Sequence, residues 1–244
     1  MTASPAARPA EPRAQRLVLV TGGARSGKSA FAEGLARRSG ARVVFLATAA
    51  PGDAEMAWRI AAHRARRPSG WRTVEAERHL ARALRPHLAW AQAVVVDCIT
   101  VLASNVLLDV ISKPSTLKGE AGMRVKPPPH PVLLPPGEKV LLKQALGSDL
   151  AAGQVERAQR ALDRELDGLL AALQQSQASA FVVTNEVGAG LVPGDALSRA
   201  YRDLLGRANQ RLAAAADNVY LLVAGIPLAV KGDGRGRDGA AGQA

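Results

Sequence analysis

The stretch that decides the fold runs from residue 17 to residue 35: Leu17-Val18-Leu19-Val20-Thr21, then Gly22-Gly23-Ala24-Arg25-Ser26-Gly27-Lys28-Ser29, then Ala30-Phe31-Ala32-Glu33-Gly34-Leu35. The first five residues form an apolar, β-branched run that reads as a buried strand. The last six read as the opening turns of a helix. Between them lies G-x-x-x-x-G-K-S, a phosphate-binding loop. Its glycines let the backbone curl until successive N–H groups face one phosphate. The helix that follows presents its positive N-terminal end to the same anion. Lys28 is expected to reach the β- and γ-phosphates, and the Ser29 hydroxyl to face Mg2+. A chance match in a Gly-rich turn would lack the strand before and the helix after. The chain is expected to bind a nucleoside triphosphate.

Outward from this unit, strands alternate with helices. Residues 42–48, 71–74, 93–97, 181–184 and 218–223 read as strands, with an edge at 227–231. Helices are expected over 53–66, 77–90, 98–110, 150–175 and 195–216, the last with an acidic cap at Asp195. Each strand is mostly a continuous apolar run, which implies a parallel sheet covered on both faces. Residues 1–15 and 232–244 read as disordered tails. Residues 112–148, with Lys126-Pro127-Pro128-Pro129-His130-Pro131 and Pro135-Pro136-Gly137, read as a Pro-rich insertion without period. The expectation is one α/β domain over 16–231, of the phosphate-loop NTPase type (RecA-like), with a mostly parallel sheet and helices on both faces.

Composition narrows the class. The chain has 244 residues, 48% of them hydrophobic but only 3% aromatic, so its core must be aliphatic. The single cysteine, Cys98, precludes an internal disulfide and suits a reducing cytoplasm. The first 15 residues have no apolar stretch, and no run approaches the roughly 18 apolar residues of a membrane span. A cytoplasmic protein is expected. The net charge of +11 raises a nucleic-acid-binding NTPase as an alternative. The excess sits in the N-terminal tail and in eight arginines between Arg59 and Arg85, with almost no aromatics for base stacking. An arginine cluster serves triphosphates equally well, so no nucleic-acid partner is expected.

In an open parallel sheet, ligands sit beyond the carboxyl ends of the strands. That singles out Gly22 to Ser29, Thr48 to Asp53, Asp97, and Thr184 to Gly190. Asp97, closing V-V-V-D, is placed to hold Mg2+ directly or through water, or to cap the next helix. His63 shares a helix face with Met56 and Ile60, among Arg59, Arg64, Arg66 and Arg67. A neutral imidazole is a nucleophile toward phosphorus, and guanidiniums would neutralise the oxyanions it faces. On periodicity alone, a lone histidine on such a helix reads more often as a structural or surface residue. His79 and His87 read as surface helix positions, and His130 belongs to the insertion.

Three motifs in order carry a resemblance. These are G-G-A-R-S-G-K-S at 22–29, Asp53-x-Glu55-Met56-x-x-Arg59-Ile60-x-x-His63-x-x-x-Arg67-Pro68, and T-N-E-V-G-x-G-x-V-P at 184–193. Arg202-Asp203, Gly206-Arg207, Asn209-Gln210 and Ala215-Ala216-Asp217 extend them. Together they resemble the bifunctional adenosylcobinamide kinase / adenosylcobinamide-phosphate guanylyltransferase family of cobalamin synthesis, over roughly residues 16–110 and 150–231. The resemblance implies two reactions. A nucleoside triphosphate phosphorylates the aminopropanol hydroxyl of adenosylcobinamide. A histidine, matched here by His63, takes GMP from GTP and passes it to the cobinamide phosphate.

On this basis Lys28 and His63 are the expected catalytic residues. Gly22, Gly23, Ala24, Arg25, Ser26, Gly27, Lys28, Ser29, Thr48, Arg59, Arg67, Pro68 and Glu75 are expected to bind nucleotide. Asn185, Glu186, Gly188 and Gly190 are expected to bind substrate, and Ser29 and Asp97 to bind Mg2+. GTP and ATP are the expected co-substrates, a corrinoid the partner, and a homo-oligomer, with a trimer as candidate, the assembly. The insertion at 112–148 departs from the shorter form usual in that family. A single-function phosphate-loop kinase for another small metabolite is the alternative enzyme.

Overall fold

A computed structural model describes residues 17–49, 64–65, 67–112 and 152–232. The elements run β1 (Leu17–Gly22), α1 (Lys28–Ser39), β2 (Val43–Ala47), β3 (Arg72–Glu75), α2 (Leu80–Leu88), β4 (Ala93–Asp97), α3 (Ile99–Ser112), α4 (Ala152–Gln175), β5 (Ser179–Val183), α5 (Ala196–Ala215), β6 (Asn218–Val223) and β7 (Ile226–Lys231). The 1–15 tail, nearly all of the helix expected over 53–66, the insertion beyond Ser112 and the tail beyond Gly232 lie outside the described residues. Arg64 and Ala65, at the end of that helix, are helical.

The strands form one sheet in the order β3-β2-β4-β5-β1-β6-β7. All neighbours are parallel except β6 and β7. The apolar runs in β1, β2, β4 and β5 are buried on both faces, as a covered parallel sheet requires. One face packs on α1 through Ala32, Leu35 and Ala36 against Val18, Phe45, Val95 and Val183. The other packs on α2, α3, α4 and α5 through Leu84, Leu102, Leu166 and Leu205 against Leu19, Leu46, Val96 and Val182. The α/β class with helices on both faces therefore holds, with the larger helical layer on one side.

Two differences from the sequence expectation have physical causes. The helix expected from Glu77 starts at Leu80 because Glu165 of α4 takes the backbone N–H groups of His79, at 2.9 Å, and Leu80, at 3.3 Å. His79 stands at the cap with φ 58, outside the helix. The edge at 226–231 is antiparallel because Ala224 and Gly225 both take positive φ, the geometry of a two-residue hairpin turn. Asp195 caps α5 as expected, accepting from Ser198 N–H at 2.8 Å.

Candidate active site

The phosphate loop is shaped by its first and last glycines. Gly22 has φ +149, and a Cβ there would lie 2.4 Å from the Leu222 carbonyl oxygen of β6. Gly27 has φ +91 and leads directly into α1, which starts on Lys28 and Ser29. The β6–β7 turn braces the loop from behind, where Gly225 N–H donates to Ser26 O at 3.1 Å. Gly23, Ala24 and Arg25 stay exposed at the rim.

Lys28 folds back across the loop it closes. Its Nζ donates to Gly23 O and to Ser26 Oγ at 3.4 Å, and the residue is only 7% exposed. Burial of the ammonium holds Lys28 below the usual lysine range, against the opposing pull of Cys98 and Asp97. Lys28 thus lies within electrostatic reach of the Asp97 carboxylate at the end of β4.

Asp97 ends β4, level with Ala47 of β2 and Val183 of β5. Cys98, not Asp97, immediately precedes the first residue of α3. Burial and the Asp97 carboxylate push the Cys98 thiol up to about 11, so it is a neutral thiol at physiological pH. Thr48, expected to bind nucleotide, is fully buried in the ligand-free chain. The Cys98 N–H donates to its Oγ1 and its hydroxyl donates to Cys98 O, both at 2.8 Å, so the hydroxyl is engaged in both directions.

The segment after β5 continues beside the phosphate-loop strand. Thr184 N–H donates to Val20 O and Glu186 N–H to Gly22 O, both at 3.0 Å. Asn185 is held by its backbone: its N–H donates to Thr100 Oγ1 at 2.7 Å, and its carbonyl accepts from Asn209 Nδ2 at 2.9 Å. The Glu186 carboxylate accepts from Gly188 N–H at 3.0 Å, and Arg202 donates to Gly188 O at 2.8 Å. Arg199 holds the carbonyls of Pro193 and Gly194 at 3.0 and 2.7 Å. On this pinned loop Gly190 is exposed, and so is Leu191, at 97%.

Gly22 to Ser29, Asp97, Asn185 and Glu186 thus meet along the carboxyl ends of three adjacent strands. Other expected site residues stand farther along the sheet, on and just before β3. Glu75 ends β3, four strands from β1, or about 19 Å at the usual strand spacing. There it pairs with Arg64. Arg67 stacks on Phe45, its guanidinium carbon 3.4 Å from the ring centroid, and its Nη1 lies 3.3 Å from Thr73 Oγ1. Pro68 belongs to the turn entering β3, at the amino end of the sheet, because a parallel strand must be re-entered from the end opposite the loop. His63 and Arg59 lie outside the described residues.

Sequence reasoning gave no role to Thr100, Asn209, Glu165 or the Ala224–Gly225 turn. A signal existed for two of them. Glu165 and Asn209 are polar residues on the apolar stripes of α4 and α5, beside Leu162, Leu166, Leu205 and Leu212.

Comparison with known proteins shows the family. A family model described as cobinamide kinase / cobinamide phosphate guanyltransferase matches residues 18–230. The bifunctional adenosylcobalamin biosynthesis protein CobU of Salmonella typhimurium is 39% identical over 217 residues, spanning 88% of this chain and 99% of the relative. The protein of the same name from Escherichia coli is 37% identical over 215 residues, with 88% and 99% covered. The bifunctional adenosylcobalamin biosynthesis protein CobP of Pseudomonas aeruginosa is 37% identical over 215 residues, with 88% and 97% covered.

Proposed function

The chain belongs to the cobinamide kinase / cobinamide phosphate guanyltransferase family, and from that premise we propose that it carries out both reactions on an adenosylated corrinoid. In the first, ATP or GTP phosphorylates adenosylcobinamide. In the second, GMP passes from GTP through His63 to adenosylcobinamide phosphate, giving adenosylcobinamide-GDP. The observation that carries the kinase half is Lys28 folded over the Gly22–Ser29 loop, in the electrostatic reach of Asp97. The guanylyl half rests on the histidine motif at 53–68 and on the family.

Loop N–H groups and the amino end of α1 bind the phosphates, and Lys28 swings from Gly23 O to the anion that replaces it. Ser29 Oγ and the Asp97 carboxylate are hard oxygen donors beyond the carboxyl ends of β1 and β4, which flank β5, and are the donor type Mg2+ takes. They would hold Mg2+, which neutralises triphosphate charge when bound. In guanylyl transfer a neutral His63 nitrogen bonds to the α-phosphorus as the bond to the bridging oxygen breaks, and pyrophosphate leaves with that electron pair. A phosphate oxygen of the corrinoid then displaces the imidazole, and the P–N bond breaks. Asn185, Glu186, Gly188 and Gly190 lie at the rim of the phosphate site, where the second substrate must approach.

A reaction fed by nucleoside triphosphates belongs in the cytoplasm, and no helix among the described residues is long and apolar enough to cross a membrane. A homo-oligomer fits the edge strand β7, where Ile226, Leu228 and Val230 project on one face and are exposed. Incubation with α-labelled GTP followed by denaturation tests the reading. Acid-labile, base-stable label on the chain, discharged by adenosylcobinamide phosphate, is the expected result, and a chain that never takes label refutes the transferase half.

A further inference from the structure

We propose that Asn185 touches the reacting groups of the kinase step, its side-chain amide holding the transferred phosphoryl group and the attacking hydroxyl in line. The proposal rests on the kinase reading above.

Position comes first. β5 is inserted between β1, which carries the phosphate loop, and β4, which ends in Asp97. The two flanking strands are about 10 Å apart at the usual spacing, with Asn185 on the line between them. The N–H groups of Thr184, Asn185 and Glu186 point alternately to β1, to the start of α3 and back to β1. The segment is therefore extended through Glu186, and side chains alternate along it. Thr184 turns toward α5, donating to Asn209 Oδ1 at 2.7 Å. Asn185 consequently takes the opposite face, the face of Val183 and α1, whose first residue is Lys28. Asp97 follows Val95 on that same face.

Fixation comes second. The Asn185 N–H and carbonyl are bound by Thr100 and Asn209, and its two neighbours are bound to β1. Thr100 is itself fixed, since Tyr201 Oη donates to its carbonyl at 3.2 Å. Three elements, β1, α3 and α5, thus hold one backbone position. The side-chain amide makes no hydrogen bond among the described residues, although the strand that leads to it runs between the strands that end in the phosphate loop and in Asp97. Such fixation without use of the amide is what a preorganised polar group requires.

An amide also has the right inventory, offering two N–H donors and one carbonyl acceptor without charge. An N–H can hold a γ-phosphoryl oxygen while the carbonyl oxygen receives the substrate O–H. In the step itself the hydroxyl oxygen bonds to the γ-phosphorus, and the bond from that phosphorus to the β–γ bridging oxygen breaks. The nucleoside diphosphate leaves with the electron pair, and the hydroxyl proton passes to solvent. Asn185 is neither acid nor base; it sets the line of attack.

The test compares the full chain with Asn185→Ala and with Asn185→Asp, which keeps the shape but loses the donor. Phosphorylation is followed with adenosylcobinamide and γ-labelled triphosphate, and histidine labelling with α-labelled GTP. Both variants should lose about 100-fold in phosphorylation kcat, the usual cost of one preorganised donor, with the triphosphate KM within about threefold. Labelling from α-labelled GTP should stay within about threefold, because that bond change does not involve the γ-phosphorus. Phosphorylation kcat within threefold of the parent in either variant overturns the proposal. So does a rise in KM at constant kcat, or equal loss of both activities. If the parent chain itself phosphorylates no adenosylcobinamide, the function proposed above fails as well, and that is read before any variant is made.

Discussion

Thr48 and Cys98 exchange two hydrogen bonds of 2.8 Å, the Cys98 N–H donating to Thr48 Oγ1 and the Thr48 hydroxyl donating to the Cys98 carbonyl. Thr48 N–H also donates to Asp97 O at 3.1 Å. The exit of β2 is thereby locked to Asp97, the residue proposed to hold Mg2+. Thr48→Val keeps the volume but leaves the Cys98 N–H unsatisfied and its carbonyl with the Leu102 N–H alone, at a cost of about 1–3 kcal/mol. The melting midpoint should fall, and kinase kcat with it, while Thr48→Ser recovers most of both. Unchanged stability and turnover in Thr48→Val would show that this clamp contributes nothing.

Glu165 offers a second test, of the fold alone. Its carboxylate accepts from His79 N–H, Leu80 N–H and Arg78 Nε, tying the start of α2 to α4. Glu165→Ala strands two backbone donors at the start of α2, where no side chain of that helix caps them, and should cost about 2–4 kcal/mol. Glu165→Gln retains one acceptor oxygen and should cost about half as much. Denaturant titration reads both, and a midpoint of Glu165→Ala equal to the parent's would refute the cap. Triphosphate binding, remote from this contact, should persist in both variants.

These two contacts show where sequence reading stops. The phosphate loop was legible because its chemistry is local: eight consecutive residues fix a turn, an anion cradle and the start of α1. The parallel sheet was legible because Leu17–Val20 and Ala93–Val96 are unbroken apolar runs. The start of α2 was not, because Glu165 acts from 85 residues downstream of Leu80. The bonds of Thr48 were hidden for a similar reason, since its hydroxyl partners are backbone groups of another strand's end. Pro68 closes the histidine motif and Glu75 lies beyond it; the two stand at opposite ends of β3, which only the fold reveals.

His63 carries the guanylyl half of the proposal, and its variants separate the two activities. His63→Asn removes the nucleophile without touching the phosphate loop. Adduct formation should be abolished, with triphosphate affinity within about threefold of the parent, because the loop and Lys28 supply the phosphate contacts. Phosphorylation of adenosylcobinamide should survive in part, since a hydroxyl attacking the γ-phosphorus needs no histidine adduct. Label retained at the parent level in His63→Asn would mean that another residue is the nucleophile.

Lys28 ties binding to stability with opposite signs, and Lys28→Met reads both. A charge-assisted phosphate contact of this kind contributes about 2–4 kcal/mol, so kcat/KM for phosphorylation should fall about 30- to 1000-fold. The ligand-free protein should respond differently. Burial lowers the Lys28 pKa in the folded chain, so the charged ammonium is a folding penalty. That penalty is fully present below the folded pKa. Between the folded and unfolded values the unfolded chain binds more protons, so stability rises with pH there. Lys28→Met removes the charge and keeps most of the apolar stem. Without nucleotide it should therefore melt no lower than the parent at pH 7, and the gap should close as pH rises toward about 10.4, the ordinary lysine value. A variant that melts well below the parent at pH 7 would show that the bonds to Gly23 O and Ser26 Oγ outweigh the cost of burying the charge. Near-normal turnover in a folded Lys28→Met protein would remove Lys28 from the site.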